Sequence, residues 1–298
     1  MTDGAPKIFD RAAYRARRER AARAGSGDLF LAEEAASQIA FRVSAINRRF
    51  ALGLDLNSRS ALFPILEPLA DSWMRAGHDG EAASVVADEE SLPFADASFD
   101  LIVSVLSLHA VNDLPGALAQ IRRMLKPDGL FIAALFAGET LRELRTAFAA
   151  AEAETLGGAS PRVAPFADVR ELGGLLQRAG FALPVADVER TTVRYRDLPR
   201  LFADLRALGE TNVLSGRRAS FLSRRTLARL AAEYRERFSD GEGRYLATFE
   251  IAYLTGWAPH QSQQQPLKPG SAKTRLAHAL GTEEHKAGEP ASPYPFKR

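Results

Sequence analysis

Cysteine is absent from the 298-residue chain. Thiol nucleophiles, thiolate metal sites and disulfides are thereby excluded, while the redox compartment stays open. Lysine is scarce: of 39 basic residues 33 are Arg and only 6 are Lys, against 37 acids, for a formal net charge of +2. So balanced a chain is a poor electrostatic footprint for nucleic acid, and none is expected as a partner. No uncharged apolar run reaches the ~18 residues that a membrane-spanning helix needs. Met1 to Asp10 carries acids and no apolar stretch, so it does not read as a secretory signal, and a cytoplasmic location is expected. No Gly-x-Ser-x-Gly elbow occurs, which speaks against a serine hydrolase. No two histidines lie within ligand spacing, and no metal site is expected.

What is present is a chain that can bury a core, with 46% hydrophobic and 26% charged residues. Charge clusters at Arg11 to Arg23, where six Arg face one acid, Glu19. Its Ala-rich spacing predicts a helix with a thin apolar face. That helix reads either as a solvated terminal element or as a docking arm for an acidic partner or a membrane surface.

From Phe50 onward, apolar segments alternate with helical patterns. Strands are expected at Phe50 to Leu56, Ala83 to Asp88, Phe99 to Ser107, Leu130 to Phe136 and Tyr245 to Trp257, with a strand region over residues 182 to 196. Helices are expected at Ala61 to Arg75, interrupted by Pro64 and Pro68, and at Leu114 to Leu125, Glu139 to Leu156, Asp168 to Ala179, Leu198 to Leu208 and Arg224 to Phe238. Lys126-Pro127-Asp128-Gly129 reads as a turn in which Gly supplies the positive φ. Continuous apolar strands alternating with helices predict an α/β chain with a largely parallel sheet covered on both faces. Three regions follow: a helical, Arg-rich arm over 1–49, the α/β domain over 50–258, and a polar tail over 259–298.

In such sheets ligands sit beyond the carboxyl ends of the strands. The first strand ends at Asp55, and Asn57-Ser58-Arg59-Ser60 follows where a nucleotide site would want glycines for close backbone approach. The second ends in Asp88-Glu89-Glu90-Ser91-Leu92-Pro93-Phe94, an acid before a rigid turn that suits a purine amino group or, equally, a solvated cap. The third ends at Leu106-Ser107-Leu108-His109, with Asp113 four residues on. His109 is the one histidine at a strand terminus, equally readable as a core residue or, with Asp113, as a candidate base. His78, His278 and His285 lie in polar surroundings and are expected to be exposed.

Taken in order, Ala87 to Phe94, Ser98-Phe99-Asp100-Leu101-Ile102-Val103-Ser104, Leu125 to Leu130 and Leu175-Leu176-Gln177-Arg178-Ala179-Gly180-Phe181 resemble the class I S-adenosylmethionine-dependent methyltransferases of type 11. Ser107 to Pro115, Gly157-Gly158-Ala159-Ser160-Pro161, Gly256-Trp257, His260, Ser262-Gln263 and Gly270-Ser271-Ala272 further resemble the mitochondrial complex I assembly factors that act as protein arginine hydroxylases, with their alphaproteobacterial relatives. The resemblance covers about Phe41 to Ala272.

It implies a Rossmann-like class I methyltransferase sheet, S-adenosyl-L-methionine as cofactor, and an enzyme that modifies an arginine on a protein, a peripheral subunit of respiratory complex I. A peripheral place at the inner membrane comes with that partner. By position it places Asp55, Asn57, Asp88, Glu89 and Leu106 at the cofactor, with Asp88 facing the adenine amino group. Two other readings are an assembly chaperone with a degenerate cofactor site, and a biotin-pathway methyltransferase acting on an acyl carrier.

Three departures stand out. The glycine loop is replaced, Ala110 stands where the family commonly has Trp, and no strand for a ribose-clamping carboxylate is found. Only 26 residues separate Leu56 from Ala83, where a helix, a strand and a second helix want roughly 35. A shortened cofactor half is therefore expected, together with helical insertions before the last strand. Each lost cofactor contact costs about 1–3 kcal/mol, and losing two weakens binding roughly 10²–10⁴-fold.

Overall fold

The structure is a computed structural model that describes residues 7–25, 27–78, 84–218, 220–264, 271, 274 and 276–282. The chain divides into two units, Met1–Gln261 and Ser262–Arg298. The second contains one short helix, Leu276–Leu280, and most of the tail predicted to be polar lies outside the described residues.

The first unit is built on a seven-stranded sheet in the order β3-β2-β1-β4-β5-β7-β6. Its strands are β1 (Leu52–Leu56), β2 (Ser72–Gly77), β3 (Val85–Val86), β4 (Phe99–Val105), β5 (Leu125–Phe136), β6 (Ala182–Tyr195) and β7 (Tyr245–Trp257). β1 to β5 pair in parallel, and β7 runs antiparallel between β5 and β6. The Rossmann-like α/β expectation holds.

Strand periodicity separates two cores. Leu101, Val103, Val105, Leu130, Ile132 and Ala134 point to one face, covered by α2 (Phe30–Ser44), α5 (Arg142–Leu156), α7 (Leu198–Leu208) and α8 (Arg224–Phe238). Leu54, Leu56, Ile102, Phe131 and Ala133 point to the other, under α4 (Leu114–Met124) and α6 (Val169–Arg178). Burial on both faces explains why β4 and β5 carry continuous apolar runs. The insertion expected before the last strand is α7 and α8, which lie between β6 and β7.

Three expectations are corrected. The strand thought missing is β2, in parallel register with β1 from Leu52↔Ser72 to Leu56↔Ala76. Residues 61–75 had the apolar spacing of a helix, but Pro64 and Pro68 break it into a 3-10 turn (Ser60–Leu62), α3 (Phe63–Leu66) and another 3-10 turn (Glu67–Leu69), which frees Ser72–Gly77 to pair. What is trimmed is the connections, for only residues 78–84 join β2 to β3, fewer than a helical crossover takes. The turn expected at Lys126 to Gly129 is instead an irregularity within β5, where the register with β4 shifts between Phe99 and Leu101, and its left-handed residue is Asp128 (φ 61), not Gly129.

Among the described residues no helix is long and apolar enough to cross a membrane. Phe131 is fully buried and stacks on Phe181 at 5.4 Å, tying β5 to the turn after α6. Phe131→Ala should cost about 3–5 kcal/mol in urea denaturation, and a loss under about 1 kcal/mol would show that this core can collapse around the gap.

Candidate functional site

The sheet order reverses between β1 and β4, and the crevice outside their carboxyl ends is the site this topology offers. Asn57 (φ 59) and Leu106 (φ 50) are both left-handed there, so each strand breaks sharply and turns its carbonyl into the crevice. Beneath them Asp55 is buried, with Arg75 Nε at 3.4 Å and the Ser58 N–H at 3.3 Å. Burial outweighs these partners and raises its pKa.

The crevice is covered by α1 (Arg11–Ala24), the Arg-rich helix of the sequence. Its N-cap Asp10 accepts from the Ala13 N–H at 2.9 Å and pairs with Arg217 at 2.8 Å. Arg11, Tyr14 and Arg18 fall on one helical face. Arg18 donates to the carbonyls of Leu106 (3.1 Å) and Asn57 (2.6 Å). Arg11 pairs with Asp88 at 2.8 Å and with Glu89, and donates to the Ala110 carbonyl at 2.9 Å. Tyr14, fully buried, stands edge-on to His78 with ring centroids 5.8 Å apart. The face expected to be thin is therefore the buried one.

Of the residues anticipated at the cofactor, Asp55 and Asn57 line a small cavity beside Arg18, Asn57 and Leu106 present their carbonyls to Arg18, and Asp88 and Glu89 pair with Arg11. Asp113 does not join them. It is exposed and caps α4, accepting from the Gly116 N–H at 2.8 Å. His109 sits in a 3-10 turn, Leu108–Ala110, with Nε2 2.9 Å from Glu210 Oε2. Glu210 Oε1 lies 3.5 Å from Arg18 Nη1, so one carboxylate joins the histidine to the helix.

Glu210 was missed because it is 101 residues from His109, just past α7, with no local motif. His78 was misjudged: it is buried, 3.4 Å from Glu89, although its neighbours in sequence are polar. Burial raises the pKa of Glu89, but the bond with His78 and the Arg11 charge prevail and bring it to about 2. His78, Asp88 and Glu89 group their ligand atoms within 4.8 Å, which could suit a cation, and the Arg11 guanidinium already serves both carboxylates.

Beyond Glu210 opens a second cavity of about 520 Å³, within the usual range of ligand pockets. Phe136, Phe166, Phe202 and Phe249 line it, with His109 and Glu210 on its wall. The His109 ring lies 5.0 Å from that of Phe136 and 5.8 Å from that of Phe166.

A family described as a methyltransferase domain matches residues 63–133. The human mitochondrial arginine-hydroxylase NDUFAF5 is 43% identical over 280 residues, covering 89% of this chain and 81% of that protein. The chain belongs to this family. Its zebrafish (Danio rerio) counterpart is 41% identical over 261 residues, covering 83% of this chain and 81% of that protein. A malonyl-[acyl-carrier protein] O-methyltransferase from Laribacter hongkongensis is 32% identical over 286 residues, covering 88% and 94%. A solved structure from Bacillus halodurans, assigned as a candidate methyltransferase, covers 75% of this chain and 99% of that one with a TM-score of 0.50 at 14% identity, a likeness of fold. The chain is thus an enzyme of the methyltransferase-fold class.

S-adenosylmethionine, which this fold implies, does not fit the cleft as it stands. The acceptors at the strand ends hold arginines, and the cavity left between Arg18, Asp55, Asn57 and His78 is about 30 Å³. That is a tenth or less of a typical small-molecule pocket.

The folded-state pKa of Glu89 lies below its ordinary 4.5, so its ion pairs stabilise the docked helix fully above that value and lose their effect as pH falls toward about 2. Hydrogen exchange, corrected for intrinsic rates, should show α1 losing protection across this window before β4 and β5 do. Equal protection of α1 and β4 throughout would contradict the assignment.

Proposed function

We propose that this chain modifies an arginine side chain of a protein partner, receiving the guanidinium at Glu210. The observation that carries this reading is Glu210 itself. It is a largely buried carboxylate on the wall of a cavity lined by phenylalanines, and its Oε1 makes no hydrogen bond although it lies within ion-pair distance of Arg18. Such a pocket suits arginine: the planar fork pairs with a carboxylate, and the apolar stem and delocalised cation lie against aromatic rings. His109, bonded to the other oxygen, holds the carboxylate in place and stands beside the incoming side chain as candidate proton acceptor.

The hydroxylase relatives support an arginine target, and the family resemblance points to a peripheral subunit of respiratory complex I. With α1 seated on the cofactor cleft, the assembly-chaperone reading also has an observation behind it, and one experiment separates the two. In a strain lacking this chain, intact-mass analysis of the target subunit should show the loss of one oxygen atom if the reaction is hydroxylation, or of one methylene per methyl group if it is methylation. An unchanged mass would sink the catalytic reading and leave the chaperone. Complementation with Glu210→Gln should lower the modification rate about 10–100-fold, the worth of one charge-assisted hydrogen bond. Full modification by that variant would remove Glu210 from the site.

A further inference from the structure

Three side chains of α1 occupy the strand ends beyond which ligands bind in this topology. Each reaches a different strand end: Arg18 the carbonyls after β1 and β4, Arg11 the carboxylates of Asp88 and Glu89 after β3, and Tyr14 the ring of His78 after β2. Helical spacing at i, i+3 and i+7 delivers all three from one face. The two arginines are donors placed on acceptors, so a ligand bearing an amino group and hydroxyls would compete with them for the same atoms.

We infer that α1 is an intramolecular plug of the cofactor cleft: an adenosyl ligand reaches the strand ends only when Arg11 and Arg18 withdraw, so helix and ligand bind in competition.

The construction of the helix fits a part that can leave. Of its fourteen residues only Tyr14, Arg18 and Ala21 are buried, so charge rather than apolar area holds it down. Its C-terminal end runs into Gly25 (φ 59) and Gly27 (φ 147), backbone that L side chains rarely adopt and a natural joint before α2. At the other end Phe9 pairs with Leu214 in one antiparallel bridge, flanked by the hydrogen bonds Asp10 N–H to Val213 O and Ser215 N–H to Ile8 O, both 2.8 Å. Releasing that latch lets the helix swing on the glycines. Because Arg18 also faces Glu210, the same motion uncovers the carboxylate in the larger cavity. That last consequence rests on the proposed role of Glu210; the plug does not.

The chain has no cysteine, so Phe9→Cys with Leu214→Cys introduces a single pair across the latch, where directly opposed residues suit a disulfide. S-adenosylhomocysteine is titrated calorimetrically into this full-length variant, oxidised and then reduced. The oxidised form should bind at least about tenfold more weakly, with affinity restored on reduction, because apparent affinity scales with the open fraction. Equal affinity in both forms overturns the plug. In the unlocked chain, Arg11→Ala and Arg18→Ala should each tighten binding on the order of ten- to a hundredfold. Weaker binding by either variant overturns it too, since the arginines would then hold the ligand rather than oppose it. Absence of heat at millimolar ligand in every form does the same, for the cleft would be permanently filled. None of these readouts depends on arginine modification of a target, so either reading can fail while the other stands.

Discussion

Arg18 is the interaction on which the functional half of this protein depends. A guanidinium taken out of water is tolerated only when its donors and charge are met, and here two backbone carbonyls accept from it while the Glu210 carboxylate lies within ion-pair distance at 3.5 Å. Through that one group the N-terminal helix, the ends of β1 and β4, and the segment after α7 become a single assembly. Gly209 permits it. It lies at φ 82, and a Cβ there would come within 2.9 Å of Arg18 Cδ, so no larger residue lets the arginine lie against this turn. Removing Arg18 would leave the two carbonyls without their donor and Glu210 Oε1 without its ion-pair partner, and the cleft and the cavity would lose their shared wall.

The preference for Arg over Lys has the same cause. Arg11, Arg18, Arg48, Arg190 and Arg229 each tie distant segments together through carboxylates or carbonyls, which a planar fork with several donors does better than a point charge. Part of the basic charge of the sequence is thus taken up by contacts within the molecule. Arg42, for instance, bridges Asp187 and Glu189 on β6 while lying 3.9 Å from the Tyr253 ring. A composition that seems suited to an acidic partner is, at α1, a means of closing the protein's own cleft.

How much was legible in the sequence depended on whether the signal was local. β1, β4 and β5 could be read because burial on both faces demands nearly continuous apolar residues. β2 could not, since Ser72-Trp73-Met74-Arg75-Ala76-Gly77 is mixed in polarity and follows a stretch with helical spacing; pairing with β1 makes it a strand. Asp55, Asn57, Asp88 and Glu89 were singled out by asking what ends each strand, and Leu106 by the family resemblance. Glu210 and His78 were not, because the partners that give them meaning are brought from 101 and 64 residues away, His109 in the first case and Tyr14 in the second.

The sequence by itself determined the α/β class, the order of its main elements and the strand-end residues, because periodicity and burial act along a continuous chain. Only the tertiary structure decided what those residues face. A charged helix with a thin apolar stripe is compatible with solvent, with a membrane surface or with a cleft. It is settled here by which carbonyls and carboxylates happen to lie opposite Arg11 and Arg18, and that complementarity exists only once β1, β3, β4 and the segment after α7 have come together in space.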